Sequence, residues 1–119
     1  MSELLHRGAV RLDATATGRD DAIRQCGEAL VRAGAVDPAY VETMLERERS
    51  VSTYVGEGVA IPHGTLDGKE SVRHDAVSFV RFPDGVMWGE HEVVLCIGIA
   101  ARGDGHVRLL QPAGEEEPA

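Results

Sequence analysis

No stretch of this sequence is apolar for long enough to cross a bilayer as a helix. The longest such run, Val93 to Ala101, falls well short of the roughly 20 residues a membrane-spanning helix needs. Met1-Ser2-Glu3 lacks the basic start of a signal peptide, so a cytoplasmic protein is expected. Basic side chains are in the minority, 12 against 20 acidic ones, for a formal net charge of −8. Such a field repels nucleic acid and favours positively charged protein partners. Cysteine is scarce: Cys26 and Cys96 fall within apolar patterns without metal-ligand spacing, which predicts buried, reduced thiols. There is no internal repeat.

What is present suits one folded domain. The 119 residues are 43% hydrophobic and 27% charged, a soluble globular balance with room for a single sizeable core. Ala9 to Leu12 reads as a short strand. From Asp20 to Ala33, residues Ala22, Ile23, Cys26, Ala29, Leu30 and Ala33 recur at helical spacing, with Asp20 and Asp21 at the N-terminal end and Gly34 as the stop. Asp37-Pro38 reads as an N-cap and first helical residue. The second helix then runs to about Glu48 with Val41, Met44 and Leu45 buried. Asp67 to Glu70 reads as a polar turn. Ala76 to Phe82 reads as a strand closed by a tight turn at Pro83-Asp84-Gly85. Val86 to Trp88 adds a short strand, with Met87 and Trp88 in the core, before an acidic loop from Gly89 to Glu92. Val93 to Ala101 reads as a central strand buried on both faces. The expected fold is an α/β single-domain sandwich, a mixed central sheet flanked by helices.

The stretch from Val55 to Thr65 carries the chemistry. Gly56 and Gly58 permit backbone angles closed to other residues, Val59 to Ile61 read as a short buried strand, and Pro62 is expected to end its pairing. His63 then emerges exposed at a strand end, with little bulk behind it at Gly64 and a hydroxyl beside it at Thr65. A neutral imidazole offers a nucleophilic nitrogen near physiological pH; the simpler alternative is a loop histidine. Arg47 has the planar guanidinium that fits phosphate oxygens, or else belongs with Glu46, Glu48 and Arg49 to a solvated helix end. Ser52 and Thr53 suit either turn capping or phosphate contact. His106 follows the loop Arg102 to Gly105 beyond the central strand, and strand ends are where active groups gather in open α/β sheets. His63, His74, His91 and His106 match no common metal motif.

Glu46-Arg47-Glu48, Ser52 to Gly58 and Ala60 to Thr65 resemble the signature of the mannitol/fructose-type enzyme IIA domains of the bacterial phosphoenolpyruvate-dependent sugar phosphotransferase system. Phe82 to Val86, Ile97 to Arg102 and His106 continue the resemblance in order, nearest to the mannitol branch. The resemblance implies a phosphoryl carrier without metal or other cofactor. His63 would accept the group on Nε2 from the phosphocarrier protein HPr and pass it to a cysteine of a sugar-specific IIB component working with a IIC permease. Arg47 and His106 would stand beside His63, with Thr65, Thr53 and Ser52 near the phosphoryl oxygens. A regulatory, nitrogen-type IIA protein is the alternative, and a histidine metal module a remoter one. The domain is expected over 1–110, shortened at its C-terminal end, with 111–119 a disordered acidic tail. Missing cover over the central strand would favour a homodimer or a marginally stable monomer, with His106 more mobile than His63.

Overall fold

A computed structural model describes residues 5–101. His106, the Arg102 to Gly105 loop and the 111–119 tail lie outside the described residues. The elements are β1 (Leu5–Arg11), α1 (Arg19–Arg32), α2 (Ala39–Ser50), β2 (Tyr54–Gly56), β3 (Val59–Ala60), a 3-10 turn (Leu66–Ser71), β4 (Ala76–Trp88) and β5 (His91–Ala100). They form one mixed sheet in the order β1-β4-β5-β3-β2. β4 and β5 make an antiparallel hairpin, β1 lies parallel on β4, β3 lies parallel on β5, and β2 returns antiparallel on β3. The expected α/β architecture is therefore present, with the apolar strand at the middle of the sheet.

α1 forms where its periodicity places it, burying Ala22, Ile23, Cys26, Ala29 and Leu30. Its end is a Schellman closure. Gly34, at φ 78°, donates to Val31 O, and Ala35 donates to Leu30 O, which satisfies carbonyls the helix leaves open. α1 lies on β4 and β5, and α2 packs on α1. The two helices come close because residue 27 has no side chain: a Cβ there would sit 2.8 Å from Val41 Cγ2 and 3.1 Å from Met44 Sδ. Asp37 does not cap α2 through its side chain, as expected from the sequence, but pairs with Arg73. Its carbonyl instead receives the Tyr40 N–H.

Four strand expectations need correction. Pro83-Asp84-Gly85 is not a turn but part of a bulge, across which the β4 register on β5 shifts between Arg81 and Val86. Pro83 has no N–H to lose there, and Gly85 at φ 82° takes up the distortion. The real turn is Gly89-Glu90, with Gly89 at φ 71°, so His91 and Glu92 open β5 rather than sitting in an acidic loop. Trp88 is buried, but Met87, which alternates to the other face, is 58% exposed. The central strand is not closed on both faces along its length: Val94 is 39% exposed. Cys26 and Cys96 are free, fully buried thiols, and burial raises the Cys26 thiol well above its usual range.

Candidate functional site

The β2–β3 hairpin is built on three consecutive residues with positive φ: Gly56 at 104°, Glu57 at 53° and Gly58 at 78°. Both glycines are therefore required by backbone geometry. Gly58 O receives the N–H groups of Val94 and Leu95 together, so the turn is clamped to β5. From there the chain runs beside β5 as β3, and Ile61 N–H donates to Thr53 O at 3.0 Å.

Pro62 does not end the pairing. Its carbonyl accepts the Ile99 N–H at 2.9 Å, and His63 forms a parallel bridge with Ile99. Proline removes only a donor, and this position needs only an acceptor. His63 is consequently held by the sheet, and it is 4% exposed, not the exposed histidine expected from the sequence. Its Nδ1 lies 3.0 Å from Ile61 O. A carbonyl only accepts, so a proton sits on Nδ1, and whenever the ring is neutral its lone pair is on Nε2.

Beside the backbone that leaves His63 stands a residue that no sequence motif marks. Tyr40, 3% exposed, receives the Gly64 N–H at 2.9 Å and donates to Ile99 O at 2.9 Å. Burial raises its phenol above the usual value, with the Gly64 N–H pulling partly back, which keeps the hydroxyl a donor at neutral pH. Gly64 is required by this contact, since a Cβ would sit 2.5 Å from Tyr40 Cε1 and 2.7 Å from Cζ. Tyr40, Thr43 and Arg47 share one face of α2 by helical spacing. Thr43 also touches the space beside Gly64.

Arg47, two turns beyond Tyr40, uses Nη1 to donate to Val51 O at 2.6 Å, closing the end of α2. Thr65 is half-buried directly after Gly64, and its carbonyl starts the 3-10 turn by accepting the Gly68 N–H. Ser52 Oγ accepts the Tyr54 N–H at 3.1 Å, the turn-capping role. Thr53, 3% exposed, donates its hydroxyl to Glu48 Oε1 at 2.5 Å. His74 is exposed in the approach to β4, and His91 is exposed and stacks on Tyr54 with ring centroids 4.4 Å apart. Among the described residues, no three His, Cys, Asp or Glu side chains come together as a metal site.

A small α/β domain that seats one histidine against its central strand, the ring oriented through Nδ1, has the parts that a group carrier on imidazole nitrogen needs. The chain belongs to the EIIA 2 family of the phosphoenolpyruvate-dependent sugar phosphotransferase system, whose pattern matches residues 3–112. IIA components of this system are phosphotransferase proteins that carry a phosphoryl group on histidine. The chain is 40% identical over 110 residues to the mannitol-specific phosphotransferase enzyme IIA component of Staphylococcus aureus strain Mu50, covering 92% of this chain and 76% of that one. It is 44% identical over 102 residues to the mannitol-specific EIICBA component of Escherichia coli strain K12, covering 83% of this chain but only 16% of that longer protein. The crystal structure of IIA mannitol from Escherichia coli superposes with a TM-score of 0.83 at 41% identity, covering 88% of this chain and 77% of that one. A second structure shows that IIA in complex with phosphorylated enzyme IIB mannitol, also at a TM-score of 0.83, with 39% identity and 90% and 78% of the two chains covered.

Proposed function

We propose that this chain is the mannitol-type IIA phosphoryl carrier, with His63 as the residue that takes the group from phospho-HPr and passes it to a IIB component. The observation that carries the reading is the His63 ring in a chain of this family, with Nδ1 turned to Ile61 O and the lone pair thereby on Nε2. The Nε2 lone pair forms the new N–P bond as the donor's P–N bond breaks, while the proton stays on Nδ1, donated to the Ile61 carbonyl. Transfer onward reverses the roles, the IIB thiolate attacking phosphorus and the Nε2–P bond breaking. The residues supply position and charge rather than a further covalent step. Arg47, His106 and Thr65 are assigned to the equatorial oxygens; Ser52, which caps the turn before β2, and Thr53, whose hydroxyl is held by Glu48, support the hairpin rather than the phosphoryl oxygens. Incubation with enzyme I, HPr and labelled phosphoenolpyruvate, followed by addition of IIB mannitol, tests the whole sequence. Label that stays off the chain, or that IIB fails to remove, overturns it. A nitrogen-type regulatory role is not favoured, because these similar relatives are mannitol-specific.

Only Nη1 of Arg47 is taken by Val51 O, and the rest of its planar fork gives two contacts to a phosphoryl group where an ammonium gives one. Arg47→Lys is expected to slow single-turnover transfer about thirtyfold, equivalent to about 2 kcal/mol of transition-state stabilisation. Unchanged kinetics would return Arg47 to its helix-end role alone.

The domain boundary at residue 110, the acidic tail, a cytoplasmic location and self-association belong to the same proposal. No helix among the described residues is long and apolar enough to cross a membrane. Val77, Phe79, Leu95 and Ile97 are half-buried on β4 and β5, and pairing of two chains over them would remove apolar area from water. Sedimentation and melting across a wide concentration range should then depend on concentration; a compact monomer with a constant melting temperature removes the dimer.

A further inference from the structure

We infer that Tyr40 is the positioning residue for the His63 imidazole, its phenol oxygen acting as a wedge between β5 and the chain that leaves His63. The inference rests on His63 being the phosphoryl acceptor. A parallel bridge between His63 and Ile99 calls for two backbone bonds: Ile99 N–H to Pro62 O, and Gly64 N–H to Ile99 O. The first is made at 2.9 Å. On the path of the second stands the Tyr40 hydroxyl, which takes the Gly64 N–H at 2.9 Å and donates to Ile99 O at 2.9 Å. One ladder bond is thus replaced by two in series, and the backbone is held away from β5 at the residue after His63. Pro62 is tied to β5 on one side of the histidine and Gly64 is parted from it on the other. Between those restraints the ring has its Nδ1 bond to Ile61 O, so its direction is fixed at three points. Only a hydroxyl both accepts and donates in so small a space. The ring that carries it is packed where Gly64 leaves room, and it arrives on α2, itself seated closely on α1 at Gly27.

Tyr40→Phe keeps the ring and removes the oxygen. In the full chain, the limiting rate of phosphoryl uptake from phospho-HPr is expected to fall about ten- to a hundredfold, the size of effect a small misplacement of a reacting group produces. The half-saturating HPr concentration should stay within about twofold, because the hydroxyl is buried between Gly64 and Ile99, and the His63 imidazole resonances should shift in nitrogen-15 spectra. A merely structural tyrosine would lower the melting temperature and leave the limiting rate and those resonances at parent values, and that result overturns the inference. Should Tyr40→Phe fail to fold, 3-fluorotyrosine at position 40 in a Tyr54→Phe background keeps both bonds with altered strength. A changed limiting rate then supports the wedge and an unchanged one overturns it. His63→Ala run in parallel separates the two readings. Label on that variant overturns the acceptor assignment and this inference with it, whereas an unlabelled His63→Ala beside a fully active Tyr40→Phe removes the positioning role alone.

Discussion

His63→Ala is expected to abolish phosphoryl uptake, with no acid-labile, base-stable label recovered on the chain. The reasoning is chemical: the transfer needs a lone pair that is already directed, and in this site the Ile61 carbonyl fixes the Nδ1 proton and so assigns the lone pair to Nε2. Alanine offers no nucleophile, and water at the same place would release phosphate instead of storing it. The substitution is not silent for the fold, as an exposed histidine would have been. His63 is 4% exposed, so its removal breaks the bond to Ile61 O and leaves a small cavity, at a cost of about 1–3 kcal/mol. Circular dichroism should show a native spectrum with a melting temperature lower by several degrees, and His63→Gln, which fills more of the space, should melt between the two. Stoichiometric label on folded His63→Ala would place the acceptor elsewhere.

Glu48→Ala is expected to produce the largest loss of stability among single changes near the site. Glu48, 4% exposed, accepts from the Thr53 N–H at 3.1 and 3.2 Å on its two oxygens, from the Thr53 hydroxyl at 2.5 Å and from Trp88 Nε1 at 2.9 Å. Thr53 and Trp88 are each 3% exposed, so alanine strands two N–H donors away from water. Each unsatisfied buried donor costs about 1–3 kcal/mol, and the pair about 3–4 kcal/mol. That is a large part of the 5–15 kcal/mol typical of a domain. Because the carboxylate joins the end of α2 to the approach of β2 and the end of β4, the hairpin that carries His63 should loosen with it. Urea unfolding should show a lower midpoint with an unchanged slope. A double-mutant cycle with Trp88→Phe should recover part of the loss, since one stranded donor is then absent. A Glu48→Ala midpoint within about 1 kcal/mol of the parent would show that the three donors find other partners.

Glu48 also marks where a reading of neighbours along the chain stops. Placed between Arg47 and Arg49, it looks like part of a solvated helix end, and nothing nearby in sequence announces Trp88, 40 residues on. Tyr40 was unreadable for the same reason. Its partners lie 24 and 59 residues away, and as one aromatic on an amphipathic helix it carries no signal for a hydrogen bond. Thr53 offered a hydroxyl next to the glycine hairpin, but the buried carboxylate decides where that hydroxyl points.

By itself the sequence determined the features that depend on residues close along the chain. The helical spacing from Ala22 to Ala33 with Gly34 beyond it set α1. The apolar run from Val93 set the central strand, and the order of motifs from Arg47 to Thr65 set the family. Tertiary structure alone decided that β1 lies parallel on β4 and β3 parallel on β5, and that Pro83 to Gly85 bulges instead of turning. It also decided that His63 is buried beside Ile99, with the Tyr40 hydroxyl between Ile99 and Gly64. The physical reason is range: periodicity and glycine conformation act over a few residues, whereas strand order, burial and the partner of a buried polar group are settled by distant segments competing for one core.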